Sequence, residues 1–222
     1  MTDDDENGKR SNFSRRDFLR GGAVVGAAGA VGALATGLLE APAELEAAVQ
    51  TEAGVEIHGP GPVAMSFTIN GKPYKAQLEP RTTLLDALRD RFDLTGAKRV
   101  CDRGTCGACT VIADGKTVYA CSVLAIEAQG KKIETVEGLG APGALHPLQA
   151  AFVHNDAQQC GFCTPGFVMA AKSLLDHNPH PTLAEVHHGL SGNFCRCGTY
   201  MGLRHAVLDT AAGGAGKGER HG

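Results

Sequence analysis

The sequence has no tryptophan, three tyrosines and no basic run, so it offers no stacking platform for nucleic-acid bases. A net charge of −3 over 222 residues is too small to single out nucleic acid or an anionic membrane as a partner. The nine histidines include no H-E-x-x-H and no other metal-ligand spacing; His187-His188 reads as a solvated helix face. Ser, His and Asp are not gathered into a nucleophile motif, so no independent catalytic site is expected on this chain. What is present in quantity is apolar residues, at 43%, and charge is 20%, enough for packed cores over most of the length.

Long uncharged runs are also scarce; the one from Gly21 to Leu39 is Gly, Ala, Val, Leu and one Thr. It follows Ser14-Arg15-Arg16-Asp17-Phe18-Leu19 and precedes Ala41-Pro42-Ala43, an A-x-A cleavage pattern. The glycines Gly21, Gly22 and Gly26 therefore belong to a leader and not to a phosphate loop. A transmembrane anchor is the competing reading, since the run approaches a bilayer span. Its Gly and Ala content makes insertion weak. The S-R-R-x-F-L pattern resembles a twin-arginine signal. Residues 1–43 are expected to be that signal, exporting the folded chain to the periplasm, with no stable membrane span after cleavage. Residues 44–63, acidic and then Gly59-Pro60-Gly61-Pro62, are expected to be a linker.

The eight cysteines divide four and four. Cys101, Cys106 and Cys109 have the spacing C-x4-C-x2-C, and Cys121 follows. That is the plant-type [2Fe–2S] ligand pattern. Gly104 and Gly107 let the loop turn with φ > 0 and bring backbone N–H groups to the sulfurs. A structural zinc site usually takes two C-x2-C pairs, and only Cys106 and Cys109 form one here. Disulfides are the other alternative for an exported chain. A twin-arginine signal carries a folded protein, which suits a cluster inserted before export. The second set is Cys160-Gly161-Phe162-Cys163 and Cys195-Arg196-Cys197. Taken alone it leaves zinc and disulfides open, although C-x-C is a less usual zinc half. Each pair lies at a helix start or end, where the dipole favours negative charge.

Around the first set the pattern is α+β. Ser66-Phe67-Thr68-Ile69 and Tyr74 to Leu78 alternate about an Asn70-Gly71 hairpin signal, with Pro73 lacking a ladder bond. Thr82 or Thr83 can cap a helix carrying Leu84, Leu85, Leu88 and Phe92, with Asp86, Arg89 and Asp90 mainly on its wet side, and Gly96 is expected to end it. Strands follow at Thr110–Ala113, at Thr117–Ile126 (carrying Cys121) and at Lys132–Val136. Beyond Gly138–Gly143 the pattern turns helical: one helix around Leu148, Phe152 and Val153, one after Thr164-Pro165, one behind the Thr182–Glu185 capping box, and one over Tyr200–Ala211. This part reads as a small bundle. The expected domains are 64–138 and 144–212, with a polar, Gly-rich tail at 213–222.

The first domain resembles the β-grasp ferredoxin fold. Three motifs together are similar to the iron–sulfur subunits of the xanthine oxidase family of molybdenum hydroxylases. They are Cys101–Cys109, Gln159-Cys160-Gly161-Phe162-Cys163-Thr164-Pro165-Gly166, and Ser191-Gly192-Asn193-Phe194-Cys195-Arg196-Cys197-Gly198-Thr199-Tyr200. The likeness spans about Ala64 to Ala211, and the exported aldehyde oxidoreductases resemble the chain most in kind. Two positions depart from the family: Val100 where Gly is usual before the first cysteine, and Thr105 where Gln is frequent. The resemblance implies a plant-type [2Fe–2S] domain, with a cluster on Cys101, Cys106, Cys109 and Cys121. It also implies a four-helix-bundle domain, with a second cluster on Cys160, Cys163, Cys195 and Cys197. It further implies a large partner subunit that holds a molybdenum cofactor and oxidises the substrate, with Gln159 contacting that cofactor. A flavin (FAD) subunit or a c-type cytochrome would take the electrons onward. Arg196 is either a charge beside the second cluster or a solvated residue. A purine or N-heteroaromatic dehydrogenase subunit, a stand-alone two-cluster carrier and a zinc- or disulfide-stabilised binding module are the competing functions.

Overall fold

A computed structural model describes residues 50–52 and 55–213; the expected signal at 1–43 and residues 214–222 of the tail lie outside the described residues. Within the expected linker, strands β1 (Gln50–Glu52) and β2 (Val55–Ile57) pair antiparallel as a two-stranded sheet. The described residues form one compact unit.

A five-stranded mixed sheet carries the first cysteine set. It is built from β3 (Val63–Ile69), β4 (Lys72–Leu78), β5 (Thr110–Ala113), β6 (Lys116–Tyr119) and β7 (Lys132–Glu134), in the order β4-β3-β7-β5-β6. Only β3 and β7 run parallel. Asn70 and Gly71 hold φ of +51° and +73°, and Asp114 and Gly115 hold +47° and +79°. Both pairs have the two positive φ values of a type I′ hairpin, whose twist matches that of the flanking strands. Pro73, opposite Thr68, lies on an outer strand, where a missing N–H is tolerated.

Helix α1 begins at Leu84–Asp86 and widens into a π-helical turn at Ala87–Arg91; the Thr83 hydroxyl caps it by accepting from Asp86 N at 3.1 Å. It stops at Arg91 and not at Gly96, because Asp93 turns into the left-handed region at φ +57° and Leu94 N–H returns to Leu88 O. Leu84, Leu85 and Leu88 bury against Met65, Phe67 and Ile69 of the sheet. Arg89 is only half exposed and donates to Thr95 O and Ala97 O.

The helical part contains α2 (Pro147–His154), α3 (Thr164–His177), α4 (Leu183–Gly189) and α5 (Tyr200–Ala211). The expected capping box is made: Glu185 N donates to Thr182 Oγ1, and the Glu185 carboxylate accepts from Thr182 N. Phe152, Phe167, Val186, Leu203 and Val207 fill the core between these helices. Val153, though apolar, is turned to solvent.

Helix α3 also packs on β5, so that strand is covered on both faces and every residue of it is buried. Lys172 on α3 pairs with Glu134 of β7 at 3.2 Å and with Asp176 at 2.5 Å. A close backbone approach is at Gly166, where a Cβ would overlap the Gly107 carbonyl. Backbone cannot move aside as a side-chain tip can. Gly166→Ala is expected to destabilise the protein by about 1–3 kcal/mol, the range for overpacking, measured as a fall in the urea midpoint at unchanged slope.

Candidate metal centres

The first cysteine set lies on an irregular loop between α1 and β5 and on the turn after β6. Cys121 is not on a strand. β6 ends at Tyr119, and Ala120–Ser122 form a 3₁₀ turn that swings the thiol back over the loop. The loop base is closed by Lys98 N–H to Ala108 O and by Ala120 N–H to Cys109 O. Gly104 N donates to Cys121 Sγ at 3.3 Å and Thr105 N to Cys101 Sγ at 3.4 Å. The Ser122 hydroxyl lies 3.6 Å from Cys121 Sγ. Val100 precedes Cys101 without positive φ, and the left-handed position falls instead on Asp102, at φ +54°. Val100 is 53% exposed, Thr105 is also exposed, and neither departure from the family pattern moves a cysteine away from the set.

Side chains of this set meet in twos: Cys101 with Cys106, and Cys109 with Cys121. In the second set Cys163 meets Cys195, and the charge of Cys160 acts on Cys163. Cys163 is the N-cap residue of α3, and the Thr199 hydroxyl stands 3.2 Å from Cys195 Sγ. Cys195 N–H donates to the Tyr200 hydroxyl, whose ring packs edge-on against Phe167. Cys160 and Cys197 are exposed, and Cys197 stands two residues beyond Cys195 in the approach to α5 without being drawn into these contacts. All eight thiols are free. Among the described residues no three His, Cys, Asp or Glu side chains are disposed to hold a single ion. One tetrahedral zinc would require four thiolates about one point. The first set forms two such pairs and the second set one, an arrangement that suits a group with two metal atoms.

Burial pushes the Cys109 thiol up to about 12, and the side chain and charge of Cys121 add to the rise against a backbone N–H from Cys121. Burial likewise drives Cys163 to about 12, with Cys195 and then Cys160 adding to it. Cys101 and Cys195 go the other way. Burial raises Cys101, but N–H groups of Arg103, Thr105 and Cys106 outweigh it and bring it down to about 6. Burial also raises Cys195, and Thr199, Cys163 and Gly198 bring it down to about 7. Each set thus holds one thiol drawn toward ionisation and one that resists it. Thiolates this close need a cation among them, and bound metal deprotonates a coordinating thiol outright. A second sign of a missing group is Thr164 Oγ1, which is buried beside Cys163 and has no hydrogen-bond partner.

The two cysteine loops are fastened to each other. Phe194 N donates to Cys106 O at 2.9 Å, and Tyr119 Oη donates to Gly192 O at 2.7 Å. The buried Asn193 amide donates to Gly107 O at 2.8 Å and to Thr110 Oγ1 at 3.1 Å. Gly107 sits at φ +70°, and a Cβ there would lie 2.6 Å from the Asn193 amide nitrogen. Sequence reasoning gave no role to Tyr119, Asn193, Thr199 or Thr164. Thr164, Asn193 and Thr199 appear there as members of the cysteine motifs, and Tyr119 only by its position two residues before Cys121. Gln159 and Arg196 are both exposed.

A sheet lobe and a helical lobe, each carrying four cysteines and joined at their cysteine loops, define a two-centre iron–sulfur protein. Residues 67–136 match the 2Fe-2S iron-sulfur cluster binding domain, residues 135–208 the [2Fe-2S] binding domain, and residues 12–37 the TAT (twin-arginine translocation) pathway signal sequence. The chain is 37% identical over 215 residues to the aldehyde oxidoreductase iron-sulfur-binding subunit PaoA of Escherichia coli O157:H7, covering 90% of this chain and 89% of that subunit. It is 48% identical over 147 residues to the nicotine 6-hydroxylase small subunit of Paenarthrobacter nicotinovorans, 66% of this chain and 88% of that one. The crystal structure of quinoline 2-oxidoreductase from Pseudomonas putida matches with a TM-score of 0.67 at 46% identity, over 72% of this chain and 99% of that chain. The chain belongs to the iron–sulfur subunits of the molybdenum hydroxylases. Its twin-arginine signal addresses it to the periplasm, and among the described residues no helix is long and apolar enough to cross a membrane.

Two outcomes follow from this geometry and leader. Asn193→Ala, which removes both donors to the first loop, is expected to lower stability by about 1–3 kcal/mol in urea unfolding. Lysine keeps the charge of arginine but not its planar fork. Replacing Arg15 and Arg16 together by Lys is expected to hold the protein in the cytoplasm on cell fractionation; export at the wild-type level would refute the reading of the leader.

Proposed function

We propose that this chain is the electron-relay subunit of a periplasmic molybdenum hydroxylase that oxidises aldehydes to carboxylic acids. Two lobes divide the work, residues 64–138 and residues 144–212. Cys101, Cys106, Cys109 and Cys121 hold one [2Fe–2S] cluster; Cys160, Cys163, Cys195 and Cys197 hold the other. Each cluster, when bound, supplies a centre that takes up and releases one electron. The chain's own residues hold, shield and connect the two. Gly104 and Thr105 direct N–H groups at sulfur, Thr199 directs a hydroxyl at Cys195, and α3 presents the positive end of its dipole beside Cys163. The observation that carries the reading is the hydrogen bond from Phe194 N to Cys106 O, which ties the residue before Cys195 directly to a cysteine of the other set.

The large molybdenum subunit is the partner, and Gln159, exposed next to Cys160, is the residue proposed to reach its cofactor. A flavin subunit or a c-type cytochrome is the proposed acceptor. Aldehydes are favoured over N-heteroaromatics by the reach of the likeness. The match to the aldehyde oxidoreductase subunit runs 215 residues and so extends into the leader, whereas that to the nicotine 6-hydroxylase subunit runs 147.

Purified from cells with its partner and reduced with dithionite, the complex is expected to show two distinct [2Fe–2S] signals in electron paramagnetic resonance. Cys121→Ser should abolish one signal and spare the other; Cys197→Ser should do the reverse. Loss of the same signal in both variants would mean that the quartets are crossed, and bound zinc without iron would remove the relay altogether.

A further inference from the structure

Of the hydroxyls around the second cysteine set, one has nothing to bond. Thr199 Oγ1 lies between Cys195 Sγ at 3.2 Å and Ala157 O at 3.4 Å. Around the first set, Thr110 Oγ1 donates to Gly107 O at 2.6 Å and accepts from Asn193, and Ser122 Oγ meets Cys121. Thr164 Oγ1 is buried without a partner. Buried side-chain hydroxyls are nearly always bonded, and an unmet one asks for a missing acceptor or donor. Thr164 opens α3 directly after Cys163, whose own side chain makes no capping bond. Its next neighbour, Pro165, has no N–H to offer. The polar atom is therefore one residue from Cys163 and outside the helix's own bonding scheme.

An iron–sulfur group on Cys163 would bring sulfur acceptors close to Thr164. We propose that the Thr164 hydroxyl donates a hydrogen bond to the group held by Cys160, Cys163, Cys195 and Cys197, and so raises the ease with which that group is reduced. The inference rests on the two-cluster reading above. Reduction adds one electron and one negative charge to the group, breaks no bond, and leaves the proton on Thr164 oxygen. A fixed donor stabilises the more negative form more strongly, so its removal favours the oxidised form. Thr164 is thus a residue that tunes the potential of the second centre.

The test is a redox titration of the complete complex, followed by electron paramagnetic resonance, with the second signal assigned through its loss in Cys197→Ser. Thr164→Val keeps the shape and removes the hydroxyl; Thr164→Ser keeps the hydroxyl. At the wild-type midpoint of the second centre, Thr164→Val is expected to lower the reduced-to-oxidised ratio about fivefold, the equivalent of one net hydrogen bond. The first centre should not move, and Thr164→Ser should stay within about twofold of wild type. Should the valine variant fail to load, Thr164→Ala gives the same readout. A hydroxyl-free variant that titrates as wild type overturns the proposal, and the hydroxyl is then met by water. A serine variant that shifts as far as valine also overturns it, because methyl packing would then set the potential. A wild-type complex without a second signal overturns the functional reading itself, which separates the two failures.

Discussion

The hydrogen bonds between residues 192–194 and the first cysteine loop are the constraint on which the site depends. Neither loop is regular structure, and neither could hold its thiols in place alone. The Asn193 amide, the Tyr119 hydroxyl and the Phe194 N–H together fix the separation of the two loops. The glycines at 107 and 166 permit it by leaving out the Cβ atoms that would force the loops apart. Packing of α3 on β5 and the Lys172 pairs with Glu134 and Asp176 then hold the helical lobe against the sheet.

Electrostatics and geometry agree about what the cysteines await. Within each set one thiol is drawn toward ionisation by N–H and O–H donors, while another, more buried, is driven the other way. Such a balance is stable for thiols and untenable for four thiolates without positive charge among them. Contacts in twos, a helix start at Cys163 and an orphaned hydroxyl at Thr164 all suit a dinuclear group rich in sulfur.

Much of this is legible in the order of the residues. The four-and-four division follows from spacing alone, and the limits of α5, the Asn70-Gly71 turn and the Thr182–Glu185 box follow from local chemistry. The misplaced boundaries have local causes that composition hides. Thr117 to Ile126 alternates enough to resemble one strand, yet the chain turns at Ala120 to bring Cys121 to the loop. The Gly96 stop signal is pre-empted by Asp93 adopting the left-handed conformation. The β1–β2 pair is hidden within a stretch whose acidic residues and Gly-Pro repeats point to linker. The bonds that join the loops span 73 to 88 residues, and no pattern of period two or 3.6 encodes contacts at that range.

That long span also fixes an order of events during synthesis. The loop bearing Cys101 to Cys109 emerges from the ribosome well before Ser191 to Phe194, which complete its wall. A nascent chain halfway through translation therefore owns the ligands of the first centre without the partners that set their spacing. A chain that terminates before Asn193 lacks the amide that bonds Gly107 O and Thr110 Oγ1, so its loss reaches back into the first lobe.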